Sequence, residues 1–244
     1  MPSFRVDFSE QTAIVTGAGQ GIGEAIAVAL AQAGAAVVVN DLNPDRADTV
    51  AEAIIAAGGR ALAVRADVSN RFQAAALIET AREAYGRIHI LVNAAGVYKD
   101  EPLARIDEWD VRRQIEVNLT ATFFMTQLLG RVMADEGGGC MVNLASGHAL
   151  YGKLSAASPF VATKAGIIGL TRQVARELAP QGIRVNAVCP AFVSEPDMPA
   201  YDSPANALAR MGDPAEVADV VLFLCSDAAR FIVGQAIAID GGVL

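Results

Sequence analysis

The feature that most constrains this chain is an alternation. Short β-branched runs take turns with longer helical stretches from one end to the other. TAIVT (12–16) reads as a strand and the Ala-rich stretch Gly21 to Ala33 as a helix. AAVVVN (35–40) is a second strand, followed by a helix that opens at Pro44 and stops at Gly58-Gly59, as proline at the first turn and glycine past the last one predict. The pattern continues with strand 60–67, helix 71–85, strand 89–93, a long helix over Trp109 to Ala134, strand 140–145, helix 159–179 and strand 183–190. It closes with a helix from Asp213-Pro214 to about Cys225 and a last strand, AIAID (236–240).

Repeated strand–helix alternation argues for an α/β protein, a doubly wound parallel sheet with helices on both faces. The strands are near-continuously apolar, as expected when both faces of a sheet are covered. No linker, repeat or low-complexity tract breaks the pattern, so residues 1–244 read as one domain. In such sheets ligands bind beyond the carboxyl ends of the strands, and the residues just after each strand are the candidates for function.

Composition narrows the class. Charged residues make up 19% and hydrophobic residues 53%, which is enough for a core and unlike a disordered chain. A net charge of −8 argues against a nucleic-acid partner, which calls for a basic face. The start, MPSFRVDFSEQ, lacks the charged-then-apolar layout of a signal peptide, and no apolar run approaches the roughly 20 residues of a membrane span. Three cysteines, Cys140, Cys189 and Cys225, show no metal spacing and read as buried thiols in a reducing cytoplasm.

After the first strand comes TGAGQGIG, Thr16 to Gly23. Glycines let a backbone turn tightly and approach a ligand closely. The helix that follows offers unpaired N–H groups and a positive dipole end, which suit a pyrophosphate. By itself such a turn is also an ordinary strand–helix connection. Its context adds weight: Asp41 follows the second strand about 20 residues on, placed to accept hydrogen bonds from both hydroxyls of an adenosine ribose. An acid there repels a 2′-phosphate, no Arg or Lys lies within the turn, and Leu42 follows Asp41, so NAD is expected rather than NADP.

TGxxxGxG (16–23), Asp67-Val68 after strand three, NAAG (93–96) after strand four, Asn118, Ser146 after strand five, Lys164 and the closing IDGG (239–242) follow one another in a familiar order. Over essentially its whole length the chain resembles the short-chain dehydrogenase/reductases of the roughly 250-residue type. The resemblance implies a Rossmann-like fold with a seven-stranded parallel sheet in the order 3-2-1-4-5-6-7. It implies that Gly17, Gln20, Gly21, Ile22 and Gly23 form the cofactor turn and that Asp67 and Val68 meet the adenine. Asn93, Ala94 and Gly96 would line the cofactor near its ribose, and Pro190 and Val193 would flank the nicotinamide. It also implies a small-molecule substrate, a cytoplasmic protein and a homotetramer built partly through the helices matching 109–134 and 159–179.

The family's catalytic set is Asn, Ser, Tyr and Lys. The tyrosine hydroxyl moves the proton while hydride passes to or from nicotinamide, lysine holds the nicotinamide ribose and lowers the tyrosine pKa, serine orients the substrate oxygen, and asparagine keeps a water in the relay. Lysine is needed because a free phenol, with a pKa near ~10, is a poor base at neutrality and a neighbouring ammonium favours the phenolate. Asn118, Ser146 and Lys164 match this set, but the tyrosine position of YxxxK is Phe160. Further departures cluster nearby. The stretch from Ser146 to Phe160 is one residue longer than usual. PAFVSE (190–195) stands where PGxxxT is usual, so Glu195 takes the place of a threonine that normally touches the carboxamide, with Ser194 beside it. The substrate lid, around 196–208, is short.

Three side chains could replace the phenol. His148, two residues past Ser146, has an imidazole suited to proton transfer near neutral pH. Tyr151 lies on the same loop, and Tyr98 follows NAAG. Each could equally be ordinary packing or a backbone partner. The expected function is an NAD-dependent oxidoreductase interconverting a small alcohol and a ketone or reducing a related C=X bond, with His148 or a substrate group supplying the proton. Two alternatives stay open: a cofactor-binding protein with little catalysis, and proton chemistry such as elimination beside a bound dinucleotide.

Overall fold

A computed structural model describes residues 6–151, 154, 156–196 and 206–243. The elements in chain order are β1 (Thr12–Thr16), α1 (Gly21–Gln32), β2 (Ala36–Asp41), α2 (Pro44–Ala56), β3 (Arg60–Arg65), α3 (Arg71–Tyr85), β4 (Ile90–Asn93), α4 (Glu108–Gln114), α5 (Ala121–Asp135), β5 (Gly139–Leu144), α6 (His148–Tyr151), α7 (Ser158–Leu178), β6 (Ile183–Pro190), α8 (Pro214–Cys225) and β7 (Ala236–Ile239). The strands form one sheet in the order β3-β2-β1-β4-β5-β6-β7, with every pair parallel.

Alternate residues of a strand face opposite sides of a sheet, and that period sorts the core into two layers. Ala13, Val15, Val37, Val39, Ile90 and Val92 pack with Ile26 and Leu30 of α1, Val50 and Ile54 of α2, and Val217 and Val221 of α8. The residues between them, Ile14, Val38 and Leu91, pack on the other face with Leu77 of α3 and Met125 and Leu129 of α5. Both faces are apolar because both carry helices, which is why the strands read as continuous hydrophobic runs.

Local signals set the helix starts. The Asn43 side chain accepts from the backbone N–H groups of Asp45 and Arg46, with Pro44 in the first turn of α2. Asn70 caps α3 in the same way, and Asp213 and Glu216 form a reciprocal capping box on α8. Strand order reverses at β1, whose Thr16 lies beside Asn40 of β2 and Asn93 of β4. A crevice opens there.

Two expectations are corrected. The continuous helix expected over Trp109 to Ala134 is interrupted at Ile115–Thr120 by a π-helical segment. The Asn118 side chain holds that widened turn: its Oδ1 accepts from Val97 N–H at 2.7 Å and its Nδ2 donates to Val97 O at 3.0 Å. The loop expected around His148 holds the short helix α6. Most of the lid expected at 196–208 lies outside the described residues.

Candidate active site and cofactor cleft

The turn after β1 is shaped by steric limits. At Gly23 a Cβ would overlap the carbonyl of Gly17, and at Gly17, with φ +62°, it would lie 2.6 Å from Ala95 Cα. Only hydrogen fits at these two positions, so the turn is pressed against the start of α1 and the end of β4. Thr16 ties the same corner together, its Oγ1 accepting from the N–H groups of Ala94 and Ala95 at 3.1 and 3.2 Å. At the end of β2, Asp41 accepts from Gly19 N–H at 3.0 Å through one oxygen and from Asn43 N–H at 2.9 Å through the other. The carboxylate is thereby held against the turn.

A cavity of about 450 Å³ runs from this corner across the ends of the strands. Gly17, Gln20, Ile22, Gly23, Asp41, Asp67, Val68, Ala94, Gly96, Pro190 and Val193 line it, together with Ser146, His148 and Lys164. Two residues of the expected cofactor-binding set do not. Gly21 is covered by the carboxylate of Glu195. Asn93 turns into the sheet, where its amide donates to Thr126 Oγ1 at 3.2 Å and Asn143 Oδ1 at 2.9 Å. A glycine-shaped anion seat, a fixed acid at one end and a buried ammonium at the other are the features a dinucleotide requires, and the residues present fit one. Among the described residues no cluster of three or more His, Cys, Asp or Glu could hold a metal, and no helix is long and apolar enough to cross a membrane.

At the reacting end Lys164 is buried, with its ammonium donating to Leu144 O at 2.7 Å. Burial pushes its pKa down to about 8, partly offset by the negative charge of Glu195. Phe160 lies one helical turn before it on α7, its ring centroid 5.7 Å from the ammonium, and meets the edge of Tyr98 at 5.0 Å. The phenylalanine is packed and lines the cavity. A Cβ on Gly96 would sit 3.4 Å from both Lys164 Nζ and Asn118 Oδ1, so both groups close on the backbone of Gly96. Asn118 itself does not line the cavity; besides Val97 its amide reaches Thr163 Oγ1 at 3.1 Å.

Ser146 follows β5. Its hydroxyl donates to Pro190 O at 3.4 Å and accepts from His148 N–H at 3.2 Å. The His148 imidazole is buried, and burial lowers its pKa, which favours the neutral ring. It packs edge-on against Phe192 at 5.2 Å. Phe192 has φ +55°, a left-handed conformation that is strained for a bulky L-residue, and such strain collects at functional sites. Of the three replacements for the phenol, His148 and Tyr98 face the cavity. Tyr151 does not: it bonds the Asp240 carboxylate, which raises its pKa.

A family model described as enoyl-(acyl carrier protein) reductase matches residues 17–244. A 3-oxoacyl-[acyl-carrier-protein] reductase of Synechocystis sp. is 41% identical over 246 residues, covering 96% of this chain and 97% of that protein. The chain belongs to the short-chain dehydrogenase/reductase family of oxidoreductases. Another member, the cis-4-hydroxycyclohexanecarboxylate dehydrogenase of Sinomonas cyclohexanicum, is 42% identical over 245 residues, covering 96% and 97%. Among solved structures, a 7α-hydroxysteroid dehydrogenase in complex with NADH and 7-oxo glycochenodeoxycholic acid superposes with a TM-score of 0.91 at 33% identity, covering 98% of this chain and 96% of that one. Members of this family bind nicotinamide cofactors.

Sequence reasoning missed several lining residues. Arg46 reaches the Asp41 corner from the first turn of α2, and Arg113 lines the cavity from α4. Arg46 could have been found: Asn43-Pro44 announces the helix start, and its first turn points back at the end of β2.

Proposed function

We propose that this short-chain dehydrogenase/reductase interconverts a small alcohol and a ketone with NAD as hydride carrier, and that His148 moves the proton in place of the absent phenol. The observation that carries the reading is the single cavity onto which the glycine turn, Asp41, Lys164, Ser146 and His148 all open. When bound, the nicotinamide supplies or accepts the hydride. Lys164, an ammonium below a pH of about 8, holds the cofactor ribose. The Ser146 hydroxyl orients the substrate oxygen. In the oxidative direction the His148 imidazole takes the proton from the alcohol and becomes an imidazolium; in the reductive direction the imidazolium gives that proton to the substrate oxygen. The Phe160 ring can do neither and serves as an apolar wall. Asn118 acts through the backbone of Val97.

Asp41 supports NAD over NADP because its fixed carboxylate lies where a 2′-phosphate would come. Arg46 brings a cation to the same corner, so the preference is tested directly by titrating NADH and NADPH against wild type and Asp41→Ala. NADH is expected to bind wild type more tightly, and the substitution is expected to narrow the difference. The same reading takes the chain as one domain of a cytoplasmic homotetramer. A groove of about 270 Å³ between α5 and α7, with Phe123 exposed at its edge, supports assembly through those helices. Sedimentation as a monomer would refute it.

The buried Phe160 favours a second reading, a cofactor-binding protein with little turnover. Alcohols with NAD⁺ and ketones with NADH, tested on wild type, Phe160→Tyr and His148→Ala, separate the two. Turnover in wild type, little changed by Phe160→Tyr and abolished by His148→Ala, supports the oxidoreductase with its rebuilt proton donor. A silent wild type that gains activity in Phe160→Tyr supports the second reading.

A further inference from the structure

Gly21 opens α1 with φ +60°, and the place its Cβ would take is filled by Oε2 of Glu195, with Pro196 Cδ also 3.4 Å from that point. Glu195 comes from the segment after β6, far away in the chain. Its carboxylate rests on the glycine turn at the positive end of α1, where unpaired N–H groups and the helix dipole attract an anion. The same side chain lines the large cavity, and its charge acts on Lys164. A dinucleotide's diphosphate carries negative charge and seeks the same seat.

We infer that Glu195 is a built-in competitor for the cofactor diphosphate, so that a dinucleotide binds only when this carboxylate has turned away. The inference rests on the reading of the cavity as a dinucleotide site and adds a residue that sets affinity there. Proline after Glu195 restricts the backbone of residue 195 to extended conformations. Clearance therefore comes from rotation of the side chain, and the turn need not move. While the carboxylate is seated, the site is closed to phosphates. The apparent affinity falls by the fraction of time the seat is open.

The effect is one of charge and is separable from shape. Glu195→Gln keeps the size and removes the charge, and Glu195→Thr removes the reach as well. Isothermal titration calorimetry at pH 7 and low salt would compare wild type with both variants, using NADH, ADP-ribose and adenosine as probes. Melting temperatures would verify that all three proteins are folded. NADH and ADP-ribose are expected to bind both variants about tenfold more tightly than wild type. Adenosine, which has no phosphate, is expected to bind all three alike. Equal ADP-ribose affinity across the three proteins would overturn the inference alone, as would an equal gain for adenosine. Failure of ADP-ribose and NADH to bind any of the three would overturn it together with the dinucleotide reading beneath it.

Discussion

The two ends of the cleft are built by different means. At the cofactor end, shape is set by backbone: Gly17 and Gly23 admit no side chain, Thr16 bonds the N–H groups of Ala94 and Ala95, and Asp41 is held by two further N–H groups. At the reacting end, shape is set by side chains on a helix face and two loops: Phe160 and Lys164 on α7, Ser146 and His148 after β5, and Glu195 after β6. The contrast has a physical source. A Cβ pressed into backbone cannot be relieved by rotating anything. An aromatic ring such as Phe160, packed edge-on against Tyr98, serves the fold through its volume, and a hydroxyl more or less at its rim leaves that volume nearly unchanged. The chemistry of the second region can change while the geometry of the first stands.

That contrast can be broken, and the largest expected effect lies at the reacting end. His148→Ala should lower kcat by roughly 10²–10⁴-fold, about 3–5 kcal/mol of barrier, in steady-state assays at a temperature where the variant is folded and still binds NADH. A variant of unaltered rate would remove His148 from the chemistry. Gly23→Ala should act the opposite way. Its methyl overlaps the Gly17 carbonyl, so about 3 kcal/mol of stability is at stake, read by denaturant unfolding, and NADH binding should be lost with it.

Lys164 joins the two ends and sharpens the comparison through pH. Its ammonium has an ordinary pKa of 10.5 when unfolded and about 8 when folded, chiefly through burial. Below pH 8 both states are charged and the folded one bears the full desolvation penalty. Between 8 and 10.5 the unfolded chain binds the proton and the folded one does not, so stability rises with pH, by roughly 3 kcal/mol in all. Lys164→Met should abolish this rise in urea unfolding followed from pH 7 to 10; the same rise in both proteins would contradict it. The smallest effect is expected behind the cofactor end, where α8 packs in the same core layer as α1. Asp213→Ala removes the cap of α8 and should cost about 1 kcal/mol, a fall in Tm of roughly 2–4 °C by calorimetry, with cofactor affinity unchanged.

Much of this was legible in the chain itself. The alternation of runs determined the parallel sheet, because strands covered on both faces must be apolar throughout. The glycine turn, Asp41 and the absence of a tyrosine four residues before Lys164 were readable for the same reason: each follows from what a residue type can or cannot do. What only the tertiary structure decided are contacts between distant segments. The π-helical turn exists because Asn118 finds the backbone of Val97, 21 residues away. His148 was singled out from Tyr151 when Tyr151 turned to Asp240. Glu195 came to rest on Gly21 because the segment after β6 runs across the carboxyl ends of the strands to the start of α1. Residue types and periods are properties of the chain, whereas these pairings depend on where the sheet order brings its loops, and local pattern carries no record of that.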